Sequence, residues 1–233
     1  LFEDNSPIDR RFRKAEVKGV SAKVITAAII AGDTYPATAI GINLPNADWI
    51  RRDYGSKSVT IENITEAYDL ASREKPTSVL AEFAFDKAEI ERSEQYGFIT
   101  DNLHTDLHEC LGHGSGQLLE GTSPNALKEY SSVLEETRAD LFALYYLADP
   151  KLVELGLLDK KDAFKAEYDH YILNGIFTQF SRIELGKPNS ESHMQNRKLI
   201  ADWCFEKGEG KVIERVRREG KTYFKINDYE ALR

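Results

Sequence analysis

Two histidines five residues apart require an unusual helical turn in this chain. His108 and His113 bound the segment His-Glu-Cys-Leu-Gly-His, and three of the five histidines of the chain fall between residues 104 and 113. Five residues rotate a regular α-helix by about 140°, so the two rings would point in different directions. If both histidines hold one metal ion, the helix must contain a wide turn. Gly112 is the residue that resists such a distortion least.

These residue types are suited to binding zinc. A catalytic zinc ion is usually held by three protein ligands, and two histidines with one glutamate form one of the common sets. His108 and His113 supply the nitrogens, and Glu136 or Glu135 supplies the oxygen. Glu109, next to the first histidine, is then placed to act as general base on the attacking water.

The acidic partners lie in a predicted helix over residues 131–147, where apolar residues recur at helical spacing. Glu136 and Asp140 are four residues apart and share a face, so one can bind the metal while the other holds a ligating imidazole by its free N–H. Glu135 is offset by about 100° and is available to the other histidine. Carboxylates in this otherwise apolar stretch are costly to bury without such partners.

The two motifs together resemble those of a known family. His108-Glu-Cys-Leu-Gly-His113 with Glu135-Glu-Thr-Arg-Ala-Asp140 is similar to the HExxGH and EExxAE/D signatures of the dipeptidyl peptidase III family of zinc peptidases. Those enzymes remove dipeptides from the N-termini of short peptides. Similar segments at residues 41–46, 193–197 and 206–210 extend the resemblance over most of the chain.

The resemblance implies a role for each matching residue. The zinc ligands would be His108, His113 and Glu136, and the catalytic residues would be Glu109 and His193. Glu135 and Asp140 would be partners of the ligating histidines. Asn43, Asn46 and Arg197 would contact the substrate. Asp140 stands where many members of the family have glutamate, which shortens its reach by one methylene.

Some of these residues have plainer interpretations. Without the resemblance, His193 is a capping or surface histidine, and Asn43 and Asn46 are turn residues that flank a proline. His104, four residues before His108, can share a helical face with it. A ligand role for His104 is disfavoured because two histidines and a glutamate already complete the set.

The remaining pattern predicts a mainly α fold with a small C-terminal β-hairpin. Residues 11–31 form a long amphipathic segment, and Thr100 or Asp101 is placed to cap the histidine helix. Further helices are predicted at residues 62–74, 79–95, 160–185 and 190–207, and a hairpin turns at Glu219-Gly220. The chain of 233 residues predicts a single domain, 1–233. The resemblance implies that it is the zinc-binding catalytic lobe of a larger two-lobed peptidase, without the other lobe.

Charge and composition disfavour several classes of protein. The net charge of −8 disfavours nucleic acid. Two cysteines do not suggest a disulfide framework, and the lack of an apolar run of about 18 residues predicts no membrane span. These properties lead us to expect a cytoplasmic protein, and the resemblance implies that it acts on short peptides.

The zinc-binding motifs predict a zinc-dependent hydrolase, and the resemblance implies an exopeptidase that removes dipeptides from the N-terminus of short peptides. The alternative is a zinc-binding lobe with little activity by itself, because the second lobe that orients the peptide is missing. A structural zinc site is disfavoured, because structural sites are usually closed by four protein ligands, commonly cysteines.

Overall fold

The computed structural model of the chain describes residues 2–17, 21–32, 38–45, 47–73, 79–123 and 125–233. Within them the fold is mainly helical with a C-terminal β-hairpin, as the sequence predicts. The α-helices are α1 (Phe2–Asn5), α2 (Asp48–Tyr54), α3 (Glu62–Arg73), α4 (Val79–Phe83), α5 (Lys87–Leu107), α6 (Ser131–Leu147), α7 (Lys151–Glu154), α8 (Phe164–Ile176), α9 (Ser192–Lys207) and α10 (Tyr229–Leu232). The strands are β1 (Ser21–Ile25), β2 (Gly41–Leu44), β3 (Lys57–Ile61), β4 (Ile213–Arg218) and β5 (Lys221–Ile226).

The chain divides into two compact units. The first unit comprises Leu1–Glu74 and Asn102–Ala143, and the second comprises Lys75–Asp101 and Leu144–Arg233. The single domain predicted over residues 1–233 stays a prediction. Among the described residues, no helix combines the length and the apolar character needed to cross a membrane.

The first unit contains a three-stranded sheet in the order β1-β3-β2. Strand β1 pairs in parallel with β3, and β2 pairs with β3 in the antiparallel sense. Asn43 on β2 lies directly opposite Ser58 on β3, and both are buried, as is Thr60 two residues further on. Side chains two residues apart on a strand share a face. The sheet therefore has a buried polar face, and β2 and β3 both contact the segment His108–His113.

Three predictions for the N-terminal half are wrong. The single helix at residues 79–95 is interrupted between α4 and α5. The amphipathic segment at residues 11–31 is not one element, since it contains a short 3₁₀ turn and then β1. Val24 and Ile25 are β-branched and favour a strand, and β3, far along the chain, supplies the hydrogen-bonding partners. Neither Thr100 nor Asp101 caps a helix: both lie inside α5, and the Thr100 hydroxyl donates to the Tyr96 carbonyl at 2.9 Å.

The second unit is built on the packing of α8 against α9. A Cβ atom added at Gly175 of α8 would lie 2.6 Å from the Ala201 Cβ of α9, so the helices approach too closely there for a side chain. Both helices also contact the hairpin of β4 and β5. Its turn has Glu219 at φ 52° and Gly220 at φ 81°, the left-handed pair expected of a two-residue hairpin turn.

Candidate metal centre

The wide turn predicted from the histidine spacing is confirmed. Helix α5 continues without interruption into a π-helix that spans His108–His113. Hydrogen bonds in a π-helix join residues five apart, so residues with that spacing lie one above the other. The Nε2 atoms of His108 and His113 are accordingly 3.1 Å apart.

Helix α6 brings the acidic residues to this turn. Gly112 in the π-helix and Ala139 in α6 are both buried, and they mark where the two segments approach each other. This approach places the Glu136 Oε2 atom 3.2 Å from His108 Nε2 and 3.5 Å from His113 Nε2. Two imidazole nitrogens and one carboxylate oxygen thus form a nearly equilateral triangle.

The triangle has the dimensions that a zinc ion requires. Zinc bonds of about 2.0–2.1 Å at tetrahedral angles set the ligand atoms roughly 3.3 Å from one another. The three observed separations are 3.1, 3.2 and 3.5 Å. The donors are two nitrogens and one oxygen, a set that zinc accepts readily. The residues present therefore fit a zinc ion.

The other ring nitrogen of each histidine contacts a carboxylate. The Nδ1 atom of His108 lies 2.6 Å from Asp140 Oδ1, and the Nδ1 atom of His113 lies 3.0 Å from Glu135 Oε1. A carboxylate at Nδ1 holds the proton there and leaves the Nε2 lone pair directed at the triangle. Helix α6 thus brings one carboxylate to each predicted ligand histidine.

The charges of this cluster favour ionised carboxylates. Burial by itself raises the pKa of Glu135, but hydrogen bonds from His113 and Arg138 outweigh it and hold the pKa at about 2. Burial likewise lowers the pKa of His113, and hydrogen bonds to Glu135 and Glu136 raise it to about 9. Burial also raises the pKa of Asp140, but hydrogen bonds from His104 and His108 outweigh it and hold the pKa well below its ordinary value. Ionised carboxylates around two imidazoles create a region that favours a cation.

Arg138 holds Glu135 in place, a contact that the sequence reasoning missed. Its guanidinium donates twice to that carboxylate, from Nη2 at 2.6 Å and from Nε at 2.9 Å. Its Nη1 atom donates to the Ser115 carbonyl, 3.1 Å away in the turn after the π-helix. The three-residue spacing of Glu135 and Arg138 on a helix is the signal that could have revealed this pair.

The backbone of Glu109 is held by the polar face of the sheet. Glu109 is buried, and its carboxylate lies within 4.8 Å of ring nitrogens of His108 and His113. Asn43 donates from Nδ2 to the Glu109 carbonyl at 3.0 Å and to the Ser58 hydroxyl at 2.9 Å. The backbone of the predicted general base is therefore tied to β2.

The residues predicted to contact the substrate belong to different units of the chain. Asn43 is buried, and no donor among the described residues reaches its Oδ1 atom. Asn46 lies outside the described residues. His193 and Arg197 belong to the second unit, on the first turns of α9, four residues apart and hence on one face. His193 is half exposed, and its Nδ1 atom is 2.8 Å from Glu191 Oε1. The roles of these residues stay predictions.

Comparisons with known proteins support the resemblance. Residues 25–128 match peptidase family M49. Nudix hydrolase 3 of Arabidopsis thaliana is 29% identical over 215 residues, which cover 89% of this chain and 26% of the relative. Dipeptidyl peptidase 3 of Mus musculus is 29% identical over 216 residues, 78% of this chain and 28% of the relative. The chain therefore spans little more than a quarter of the length of these relatives.

Solved structures share the fold. The structure of DPP III from Caldithrix abyssi matches with a TM-score of 0.69 at 24% identity, over 97% of this chain and 40% of that one. Dipeptidyl-peptidase III from Corallococcus sp. strain EGB matches with a TM-score of 0.74 at 23% identity, over 99% of this chain and 41% of that one. Nearly all of this chain thus corresponds to part of a larger structure.

Proposed function

Because this chain is related to the dipeptidyl peptidase III family, we propose that it is the zinc-binding catalytic lobe of a peptidase that removes dipeptides from the N-terminus of short peptides. The observation that carries the proposal is the triangle of His108 Nε2, His113 Nε2 and Glu136 Oε2, with separations of 3.1–3.5 Å. A triangle of this size suits one zinc ion with a further position open to water or substrate.

The chain's own residues divide the chemistry as follows. His108, His113 and Glu136 would hold the zinc ion, which would polarise the scissile carbonyl and lower the pKa of water. Glu109 accepts the proton of the attacking water and then donates it to the leaving amine. Glu135 and Asp140 keep the histidine rings oriented throughout.

Substrate contacts complete the proposal. Asn43 and Asn46 contact the peptide backbone, and the Oδ1 atom of Asn43 can accept from a peptide N–H. His193 stabilises the developing oxyanion, and Arg197 lines the cleft. We assign the protein to the cytoplasm, with short peptides as its substrates.

The test separates metal binding from catalysis. The purified chain should contain about one zinc per molecule by elemental analysis, and His108→Ala or His113→Ala should lose most of it. Glu109→Gln should retain zinc and lose hydrolysis of a dipeptidyl-naphthylamide, since only the base is removed. A Glu109→Gln protein without zinc would move this residue into the ligand set and contradict the assignment.

The length of the chain favours a second candidate function. Because it spans only 26–28% of these curated relatives, it could bind zinc yet turn over substrate slowly by itself. Contacts that orient a peptide can supply several kcal/mol of the barrier, and their loss lowers turnover without changing the metal site. The chain alone should then turn over substrate far more slowly than a longer protein that also contains the regions present in the relatives but outside the matched part. Equal turnover of the two would leave only the first candidate.

A further inference from the structure

His104 makes a buried contact next to the metal centre that no predicted role covers. It lies in the last turn of α5, four residues before His108, so both side chains project from one face. It is only 8% exposed, and its Nε2 atom lies 3.2 Å from Asp140 Oδ1. His104 is therefore placed against the partner of a predicted zinc ligand.

One oxygen atom of Asp140 serves two imidazoles. The same Oδ1 atom lies 2.6 Å from His108 Nδ1 and 3.2 Å from His104 Nε2. A carboxylate oxygen accepts hydrogen bonds and an imidazole N–H donates them, so each of these two contacts is one in which a ring nitrogen donates to Asp140.

The short side chain of Asp140 explains why a second donor matters. The terminal torsion of aspartate is broad, so a carboxylate with one partner can swing away from His108. A second hydrogen bond from a rigid neighbouring ring restricts that torsion. Because His104 and His108 are on the same helix, the carboxylate is held between two donors in fixed register.

We propose that His104 is a positioning residue, which donates from Nε2 to Asp140 and thereby fixes the carboxylate that orients His108 for zinc. The proposal rests on the proposed function in one respect, that the triangle binds zinc. It differs from a purely structural role, in which a buried histidine stabilises the helix packing without affecting the metal.

Zinc affinity, measured by competition with a chelator, tests the proposal without reference to activity. His104→Leu removes the donor and should weaken zinc binding by about 10-fold, the lower end of the effect of losing a partner around a ligating histidine. The zinc affinity of His104→Gln should stay within about threefold of the wild type, because the glutamine side-chain amide can still reach Asp140 and donate to it. His170→Leu, at an exposed histidine in the second unit, is the matched control and should leave the affinity unchanged.

A comparison of two amides covers the case in which His104→Leu does not fold. Asparagine at position 104 is too short to reach Asp140, whereas glutamine reaches it, so His104→Asn should bind zinc several-fold more weakly than His104→Gln. Equal affinities of these two variants would overturn the proposal.

A double-mutant cycle with Asp140→Ala, which removes the acceptor, shows whether His104 acts through Asp140. If it does, His104→Gln and His104→Asn should bind zinc equally in the Asp140→Ala background. A difference that persists in that background overturns the proposal, because His104 would then act by another route. A wild-type protein that binds no zinc would instead overturn the proposed function, and this inference with it.

Discussion

A Cβ atom added to Gly112 would lie 2.6 Å from the Ala139 Cα atom and 2.8 Å from the Ala139 carbonyl oxygen. Real side chains do not approach backbone this closely, so only glycine fits at the point where the π-helix meets α6. Glu136 and Asp140 stand on either side of Ala139 along α6. The separation of these two backbones therefore sets the distance between the histidines and their carboxylate partners.

We expect Gly112→Ala to destabilise the first unit and to lower zinc affinity together. The methyl group must push α6 away, at a cost of about 1–3 kcal/mol in the free energy of unfolding. The same displacement should lengthen the contacts of Glu136 and Asp140 with the histidines. Urea unfolding and a chelator competition measure the two effects.

Gly97→Ala is the matched control for this substitution. Gly97 lies in α5, where an added Cβ would meet the Ser93 side chain, whose oxygen is 3.1 Å away, and no neighbouring backbone. Alanine favours a helix more than glycine does by about 1 kcal/mol, so this variant should be at least as stable as the wild type. Unchanged zinc affinity in the Gly112→Ala protein would show that the close approach does not set the ligand geometry.

Gly41→Ala should impair the predicted general base while leaving the metal ligands intact. An added Cβ at this position in β2 would lie 2.8 Å from Glu109 Oε1 and 3.1 Å from Thr105 Cγ2. The carboxylate must move, and a displacement of about 1 Å can cost about 100-fold in rate. We expect hydrolysis to fall steeply at constant zinc content. Ile42→Val, on the opposite face of the same strand, should change neither quantity.

Arg138→Lys should weaken zinc binding, but less than Glu135→Gln does. Losing the carboxylate that orients a ligating histidine costs roughly 10- to 100-fold in metal affinity. Lysine keeps the charge but lacks the planar fork that makes two parallel hydrogen bonds to Glu135, so we expect an effect of about 10-fold or less. Chelator competition on both variants checks this order. If neither variant differs from the wild type, the contact between Glu135 and His113 does not support the metal.

Glu89 should make the stability of the second unit depend on pH. Burial raises its pKa to about 7, from an ordinary value of 4.5. Between these values the folded state holds a proton that the unfolded state has lost, so the free energy of unfolding falls as pH rises from about 4.5 to about 7. Glu89→Gln stays neutral and can still accept the Phe85 N–H, a 2.7 Å contact in the wild type. We expect the variant to gain about 1 kcal/mol relative to wild type on going from pH 5 to pH 8.

Glu91→Gln provides the comparison for that experiment. Glu91 lies on the same helix but is exposed, and its ion pair with Lys87 is a surface contact. Such pairs contribute little, so its difference from wild type should be nearly the same at pH 5 and pH 8 in urea unfolding. A Glu89→Gln protein that behaves like Glu91→Gln would place Glu89 in contact with water.

The local part of the candidate metal centre could be predicted from the sequence. The five-residue histidine spacing demanded a wide turn, and the π-helix over His108–His113 supplies it. The contacts of Glu135 with His113 and of Asp140 with His108 follow from which face of α6 each carboxylate occupies. Such inferences succeed because helical geometry relates neighbours in sequence to neighbours in space.

The parts that depend on distant pairing could not be predicted. Strand β1 is mostly exposed and pairs with β3, which begins 32 residues after β1 ends, so its short sequence carries no clear pattern of burial. The hydrogen bonds from Asn43 to Ser58 and to the Glu109 carbonyl depend on that sheet. The link from His104 to Asp140 was also missed, since the helical spacing showed which residues shared a face but not what that face would meet.

The π-helix and α6 are joined by a stretch whose described residues, 117–123 and 125–130, are all exposed. A zinc ion held by His113 and Glu136 would act on this stretch as a cross-link, because it would join the two ends of the loop. Closing a loop in this way lowers the entropy of the unfolded chain and stabilises the folded one. A protease cut within the stretch would then leave two pieces that stay together while the metal is bound and come apart more readily when a chelator removes it.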